Sequence, residues 1–583
     1  MERSTANQRV RGSMSHRNDS NTIRRMGRIR RYATGAITAL LITGLAACGS
    51  TTTNGTGSGG ANTDITTGSK ATGQASEITV GTTDKVVSLD PAGISELGSI
   101  QTAYQIYAPL FAQHDGKADI VPNLAADNGT WNADGTQFTV KLKSSLKFTN
   151  GHALTSSDVK FSIDRIKSIN SENGPVSVFA NITKVDAPDP TTVVFTTSVK
   201  NDVTLKPVLS MTAAGIVDEQ SYAKDKLATD DEVVKDNGFS GAYSLKEYKS
   251  NDHALFTRNG DYQGIEPAHN KQVTTRYYAD SSNLKLAVQQ GDVDVAYRSL
   301  TPTDITDLKK DGKLKVVTGN GGGGRYLVFN LRTQPYGSKQ QNANADKAKA
   351  VRQAVADLVD RAALAKNVYQ GTYKPLYSFI PDGQAGFVDT LTGAYGDGSG
   401  KPDVAKARKV LADAGVTTPV KLSIQYNTDH YGPSSADEYA AIKTQLEDGG
   451  LFSVDVQQTE WVQYSKQRVV TDSQDGDFPA YQIGWAPDYP DPSDYLIPYF
   501  APDGFVSNGY ENPQVAALLK AQAGQTDESQ RLDTIEQVQQ VAAKDLPILP
   551  LLQSVSQSVT GGDISGVVMD TNFVLRYPSL ERE

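Results

Sequence analysis

This chain of 583 residues is short of several things. It has one cysteine, Cys48, which excludes a disulfide framework, an iron–sulfur site and a multi-cysteine zinc site. It has no uninterrupted apolar run of the roughly 20 residues that a membrane span requires, which argues against an integral transporter. Its six histidines include no pair at metal-ligand spacing on a helix, so H-E-x-x-H chemistry is absent. No G-x-S-x-G nucleophile elbow occurs, and Lys/Arg runs such as Lys309-Lys310 are short. With 57 Lys and Arg against 66 Asp and Glu, the net charge of −9 disfavours nucleic acid as the main partner.

What the chain does have is length and an ordinary globular composition. At about 150 residues per domain the length is a prior for three to four domains. A 38% hydrophobic fraction supplies material for a large core. The first 47 residues read as a targeting segment rather than as fold. A basic cluster (Arg24, Arg25, Arg28, Arg30, Arg31) precedes sixteen uncharged residues, 32–47, and then Leu45-Ala46-Ala47-Cys48-Gly49. The basic cluster lies far from Met1, so Met14 or Met26 is a candidate start.

The segment ending at Cys48 resembles a bacterial lipobox. In that motif small residues fit a narrow peptidase cleft, and only a thiol forms the thioether to diacylglycerol. The resemblance implies lipidation at Cys48 and a chain held at the extracellular face of the cytoplasmic membrane. Two or more acyl chains suffice for stable anchoring. Removing residues 1–47 takes away nine Arg and two acids, leaving 48 bases, 64 acids and a net charge of −16. Such a balance suits solubility outside the cell and disfavours anionic partners.

Residues 48–76 form a tether. Of the 28 residues from 49 to 76, 19 are Gly, Ser or Thr, and Ile65 is the only large aliphatic. That composition cannot bury enough apolar surface to fold, and as a flexible coil it spans about 28 Å.

From Glu77 onward, short strands and helices alternate. Strands are expected at Ile78–Gly81, at 137–142 after the Asp134-Gly135 turn, and around Val193–Phe195. Val351, Val355, Leu358 and Ala362 recur at helical spacing and predict one long helix over 346–370, closed by Gly371. Asp403 is placed to cap a second helix that Gly415 ends. Mixed elements over this length mean an α/β or α+β architecture with more than one lobe.

Several phrases stand in a fixed order. They run from Ser88-Leu89-Asp90-Pro91 through Tyr107-Ala108-Pro109-Leu110 and Val121-Pro122-Asn123-Leu124 to Lys147-Phe148-Thr149-Asn150-Gly151 and Leu154-Thr155-Ser156-Ser157-Asp158-Val159. Later come Gly241-Ala242-Tyr243, Gln290-Gly291-Asp292-Val293-Asp294, Asp360-Arg361, Gly484-Trp485-Ala486-Pro487-Asp488-Tyr489-Pro490-Asp491-Pro492 and Asp545-Leu546-Pro547. Together they resemble the extracellular solute-binding proteins of peptide and nickel ABC importers, family 5. Asn150 and Ser156 replace the Asp and Ala usual in that signature.

The resemblance implies an α/β, two-lobed, periplasmic-binding-protein-like fold (type II, cluster C) with an extra subdomain inserted in the first lobe. Carried over, lobe I comprises 77–112, 206–320 and 546–583, the inserted subdomain 113–205, and lobe II 321–545. It implies no enzyme activity and no cofactor. The partners it implies are a short peptide and the permease subunits of an ABC importer. A monomer is the default expectation.

A peptide's ammonium needs a partner when it leaves water, because a buried unpaired charge costs several kcal/mol. In peptide binders of the family an Asp of the Gly-Trp-x-x-Asp-Tyr stretch takes that group, which carries over to Asp488. Trp485 would then line a side-chain pocket, and the backbones of Gly484 and Ala486 would pair with the ligand as a strand does. Asp488 also fits an ordinary turn among Pro487, Pro490 and Pro492. By chain position Ser95, Glu96 and Leu97 lie where lobe I offers a contact loop.

Other readings carry less. Residues 319–324 satisfy G-x-G-x-x-G, but strands are expected on both sides, so the glycines read as a crossing between lobes rather than as a nucleotide loop. Asp292 and Asp294 read as fold or surface acids. The same scaffold tuned to an oligosaccharide, an opine-like compound or chelated nickel is the alternative, and a secreted hydrolase the remote one.

Overall fold

Two strands are unusually long, Leu314–Phe329 and Ile548–Gly561, at 16 and 14 residues. A usual strand has about five or six. The computed structural model describes residues 77–583 except 95, 115–118, 172–173, 299 and 503. Ser95, Cys48, the targeting segment and the tether therefore lie outside the described residues.

The long pair is the middle of an eleven-stranded mixed sheet. On one side of it come Ala480–Trp485, Val420–Tyr426 and Phe452–Gln458. On the other come Val295–Tyr297, Glu77–Thr82, Gln272–Tyr277, His253–Arg258 and Tyr243–Lys249, and the eleventh strand, Tyr373–Pro375, pairs with Ile548–Gly561 off this path. Each half covers a separate core. The first core draws on Ile78, Val80, Tyr107, Phe138, Val193, Phe256 and Tyr577. The second draws on Leu327, Phe329, Val351, Ile424, Tyr481, Leu496 and Leu549. The molecule is thus two-lobed, and the long strands pass from one core to the other.

The passage is marked in the register. Leu314–Asn320 pairs antiparallel with Gly561–Val555, and Gly324–Val328 with Gln553–Ile548. Gly321, Gly322 and Gly323 fall at the register shift between them. Burial changes there too. Residues 314–320 alternate between half-buried and exposed, whereas 321–329 are buried throughout. Sequence reasoning expects two strands around a glycine crossing; the structure shows one strand carrying a bulge. The glycines suit close approach. A Cβ on Gly322 would lie 2.6 Å from the Thr571 carbonyl oxygen and 2.9 Å from the Tyr495 hydroxyl.

The return of the chain is shared between the cores. Leu546, Ile548, Leu549, Leu551 and Leu552 pack in the second core, whereas Ile564, Leu575, Tyr577 and Leu580 pack in the first. A four-stranded sheet, built from Thr130–Trp131, Gln137–Lys141, Thr192–Thr197 and Ile182–Asp189, carries helix Ser156–Ile169 on one face. Phe138, Val140, Val193 and Phe195 bury continuously with the first core. Each such side chain contributes roughly 1.5–3 kcal/mol. That helix begins in a reciprocal cap between Thr155 and Asp158 and ends at Asn170 in a left-handed conformation.

Two helix expectations separate. Asp403 caps Val404–Asp413, its carboxylate accepting from the Lys406 N–H, and Gly415 follows at φ +66°. The helix expected over 346–370 is instead broken. Ala345–Leu358 ends where Val359 turns extended, and Asp360 accepts from the Ala363 N–H to start a new turn at Arg361. A side chain that caps locally competes with helix continuation, and the apolar periodicity does not register it.

Candidate functional site

A cavity of about 740 Å³ lies between the lobes. The first lobe supplies Asp84, Lys85 and Val87 from the chain after strand Glu77–Thr82, and Ile94, Glu96, Leu97, Gly98 and Ile100 from the start of helix Leu97–Ile106. Met211, Ala213 and Val178 extend that wall with aliphatic surface. The second lobe supplies His430, Ala486, Pro487, Asp488 and Pro490.

The first-lobe wall is held by backbone capping and a buried ion pair. Glu96 caps its helix, accepting from the Ser99 N–H at 2.8 Å and the Val87 N–H at 3.1 Å through one oxygen. Gly98 is required by contact, since a Cβ there would meet the Lys85 carbonyl oxygen at 2.0 Å. Upstream, the Asp90 carboxylate pairs with Arg165 at 2.6 and 2.5 Å, with both side chains almost fully buried. It also accepts from the N–H groups of Ala92 and Ala228. This anchors the segment that leads into Glu96.

The second-lobe wall is a turn between strand Ala480–Trp485 and helix Ser493–Phe500. Two acids pin it from behind. Asp494 accepts from the backbone N–H of Asp488 at 2.5 Å. Asp491 holds Arg531 at 2.9 and 2.6 Å and takes the Ser493 N–H at 2.8 Å. Asp488 itself opens to the cavity and is accessible from it. The walls nevertheless withdraw enough water to push its carboxyl above the ordinary aspartate value. Asp494 is enclosed, and burial first, then the charge of Asp488, push it much higher. Among the described residues neither acid has a cationic partner, whereas Asp491 does.

His430 and Tyr431 sit on the loop after strand Val420–Tyr426. The His430 ring stacks on Trp461 at 3.8 Å and 9°. Burial lowers its pKa, against the opposing pull of Asp429. A second cavity of about 390 Å³ adjoins the long strands. It is lined by Arg325, Tyr369, Tyr373, Tyr431, Ser554 and Phe573, and it shares Arg298 with the first.

Of the residues singled out from sequence, Asp488, Ala486, Glu96 and Leu97 line one cavity although they come from opposite lobes. Gly484 and Trp485 do not reach its wall. They pair with Arg325 and Gly324 inside the sheet. The Trp485 ring packs on Tyr499 at 5.9 Å and Phe505 at 5.5 Å, so its apolar face is spent in the second lobe. A Cβ at Gly484 would meet the Tyr431 ring at 2.8 Å, so Tyr431 covers the sheet face there. Asp294, read from the sequence as a fold or surface acid, accepts from the Thr79 N–H at 2.8 Å and pairs with Arg582 at 2.6 Å, tying a strand to the carboxyl-terminal segment. Sequence reasoning missed Asp84, Arg298, His430, Met211 and Asp494. Only Asp494 carried a signal, standing in the first turn of a helix beside the Asp488 turn.

A family model described as bacterial extracellular solute-binding proteins, family 5, matches residues 119–507. The "Probable D,D-dipeptide-binding periplasmic protein DdpA" of Escherichia coli (strain K12) is 26% identical over 494 residues, covering 83% of this chain and 89% of that protein. The oligopeptide-binding protein OppA of Bacillus subtilis (strain 168) is 23% identical over 461 residues, covering 75% and 80%. Among solved structures, HbpA2 from Haemophilus parasuis superposes with a TM-score of 0.73 at 20% identity, over 87% of this chain and all of that one.

Proposed function

The chain belongs to the bacterial extracellular solute-binding proteins of family 5, and on that premise we propose that it captures short peptides between its lobes and delivers them to the permease subunits of an ABC importer. A lipid on Cys48 holds it at the extracellular face of the cytoplasmic membrane, and the tether after Cys48 lets the body range near the permease. The protein binds and releases; it makes and breaks no bond.

One observation carries the reading. Asp488 is a carboxylate without a cationic partner among the described residues, set in a water-poor wall of a cavity between two lobes. A peptide's α-ammonium supplies the missing charge, and a charge-assisted hydrogen bond there is about twice as strong as a neutral one. Glu96 and Leu97 face the ligand from the first lobe, and Ala486 lies beside Asp488 on the second. The aliphatic surface of Val87, Ile94 and Met211 takes side chains without reading polar groups. The names of the two relatives, a D,D-dipeptide binder and an oligopeptide binder, support the same substrate class.

Transport follows from closure. A ligand that touches both lobes stabilises the state in which they approach, and the closed form is what a permease reads. The single-strand crossings at Gly321–Gly323 and at 553–555 are where the lobes turn.

Native mass spectrometry of the protein purified from a peptide-rich culture tests the reading. The expected spectrum shows bound masses that fragment as short peptides and disappear in Asp488→Ala. A single non-peptide mass or a metal adduct would assign the cleft to another solute.

A further inference from the structure

Arg298 stands where the two cavities of the cleft meet and lines both. It follows strand Val295–Tyr297 with φ at +59°, a left-handed backbone that is unfavourable for a residue with a Cβ. The guanidinium is held in place. Its Nε donates to Asp84 Oδ2 at 2.8 Å and its Nη2 to Asp84 Oδ1 at 3.3 Å. Its plane lies over the Phe573 ring at 5.6 Å.

Arginine carries five N–H donors in a rigid fork. Asp84 occupies the edge formed by Nε and Nη2. The end-on edge, Nη1 with Nη2, has no partner among the described residues, and 27% of the side chain is open. The edge left free is the one whose two parallel N–H bonds match a carboxylate.

The other cations of the cleft are less suited. Arg325 is spent, donating to Glu438 at 2.8 Å, to the Tyr431 carbonyl at 3.1 Å and to Ser435 at 2.8 Å. Lys85 is exposed, forms no ion pair among the described residues, and carries a point charge on a flexible stem. Ordering that stem costs conformational entropy that Arg298 has already lost to Asp84 and Phe573.

We propose that Arg298 is a specificity-determining residue that binds a carboxylate of the ligand at the junction of the two cavities, so that the cleft selects peptides bearing both an ammonium, for Asp488, and a carboxylate, for Arg298. This rests on the peptide reading and narrows it. The carboxylate comes from the peptide's C-terminus or from an acidic side chain.

Isothermal titration of the purified protein with four peptides separates these sources. The peptides are Ala-Ala-Ala as free acid and as C-terminal amide, and the amides of Ala-Glu-Ala and Ala-Gln-Ala. The carboxylate-bearing member of at least one pair is expected to bind about 10- to 100-fold more tightly. A gap in the first pair identifies the C-terminus, and a gap in the second an acidic side chain. In Arg298→Gln the gap closes, and a circular-dichroism spectrum and urea midpoint matching the parent show that the variant is folded. Arg298→Lys, which keeps the charge and loses the fork, recovers part of the gap. Equal affinity for all four peptides would overturn the inference and leave the peptide reading intact. A gap that persists in Arg298→Gln would overturn it in favour of another cation. Failure of all four to bind would bring down the peptide reading and this inference together.

Discussion

The backbone N–H of Asp488 donates to the carboxylate of Asp494 across 2.5 Å, so the acid that faces the cleft is positioned by a second acid enclosed behind it. The outer one is open to a ligand cation. The inner one, which receives only backbone N–H groups and meets no cation among the described residues, sits far above the ordinary aspartate value through burial.

Asp494 therefore opposes folding when it is charged. Its folded pKa lies above its unfolded value of about 3.9. The protonated form favours the fold below the unfolded value, and that contribution is lost as pH rises through the folded one. Asp494→Asn keeps an acceptor for the Asp488 N–H and cannot ionise. The variant is expected to unfold at a higher urea concentration than the parent at pH 8, with the two curves converging below about pH 4. A variant less stable at pH 8 would contradict this.

Peptide affinity is expected to fall with pH earlier than a surface aspartate would allow. Desolvation raises Asp488, so it takes up a proton above the usual carboxylate range and loses its hold on an ammonium there. Below its pKa each further pH unit costs about tenfold in affinity. The groups around it are Asp494, Glu96, the Asp84–Arg298 pair, Lys85 and His430. Burial holds His430 below the ordinary histidine value, and once protonated it adds an opposing positive charge. Titrations between pH 8 and pH 4.5 read the effect, and Asp488→Asn is expected to be weak and flat across them.

The pair of Asp90 with Arg165 holds the first-lobe wall. Removing one partner of a buried ion pair leaves a charge without water, at a cost of about 3–5 kcal/mol. Asp90→Ala is expected to lose stability on that scale in urea unfolding. It is also expected to weaken peptide binding, because the segment leading to Glu96 loses its anchor.

The proposed closure turns on the glycine bulge. Gly322 donates to the Thr571 carbonyl at 2.7 Å and accepts from the Tyr495 hydroxyl at 2.9 Å, so it touches both lobes. Gly322→Ala drives a methyl into both partners. The expected result is a slower association rate for peptide in stopped-flow fluorescence. Tyr495→Phe, which only removes one bond to a buried acceptor, is expected to cost about 1–3 kcal/mol of stability.

Local chemistry was legible in the sequence. Asp403 and Gly415 act within a few residues of themselves, and the structure places them as cap and terminator. Periodicity alone overran the break at Val359, because Ala362 continues the apolar stripe beyond the residue at which Asp360 starts a new turn. Asp488 was singled out through its phrase, not through spacing, and it lines the cavity. Arg298 has no phrase. It lines the cleft only because Val295–Tyr297 is inserted between Glu77–Thr82 and Ile548–Gly561, bringing it against Asp84 from 214 residues away. Trp485 shows the opposite effect: its type suits a pocket wall, but strand pairing with Gly324 turns the ring toward Tyr499 and Phe505.

A crystal structure of the protein with a bound tripeptide tests the central claim most directly. The α-amino nitrogen is expected at about 2.7–3.2 Å from the Asp488 carboxylate, inside the cleft and facing Glu96 and Leu97. A peptide in the cleft with its ammonium paired elsewhere, or a peptide bound outside the cleft, would contradict it.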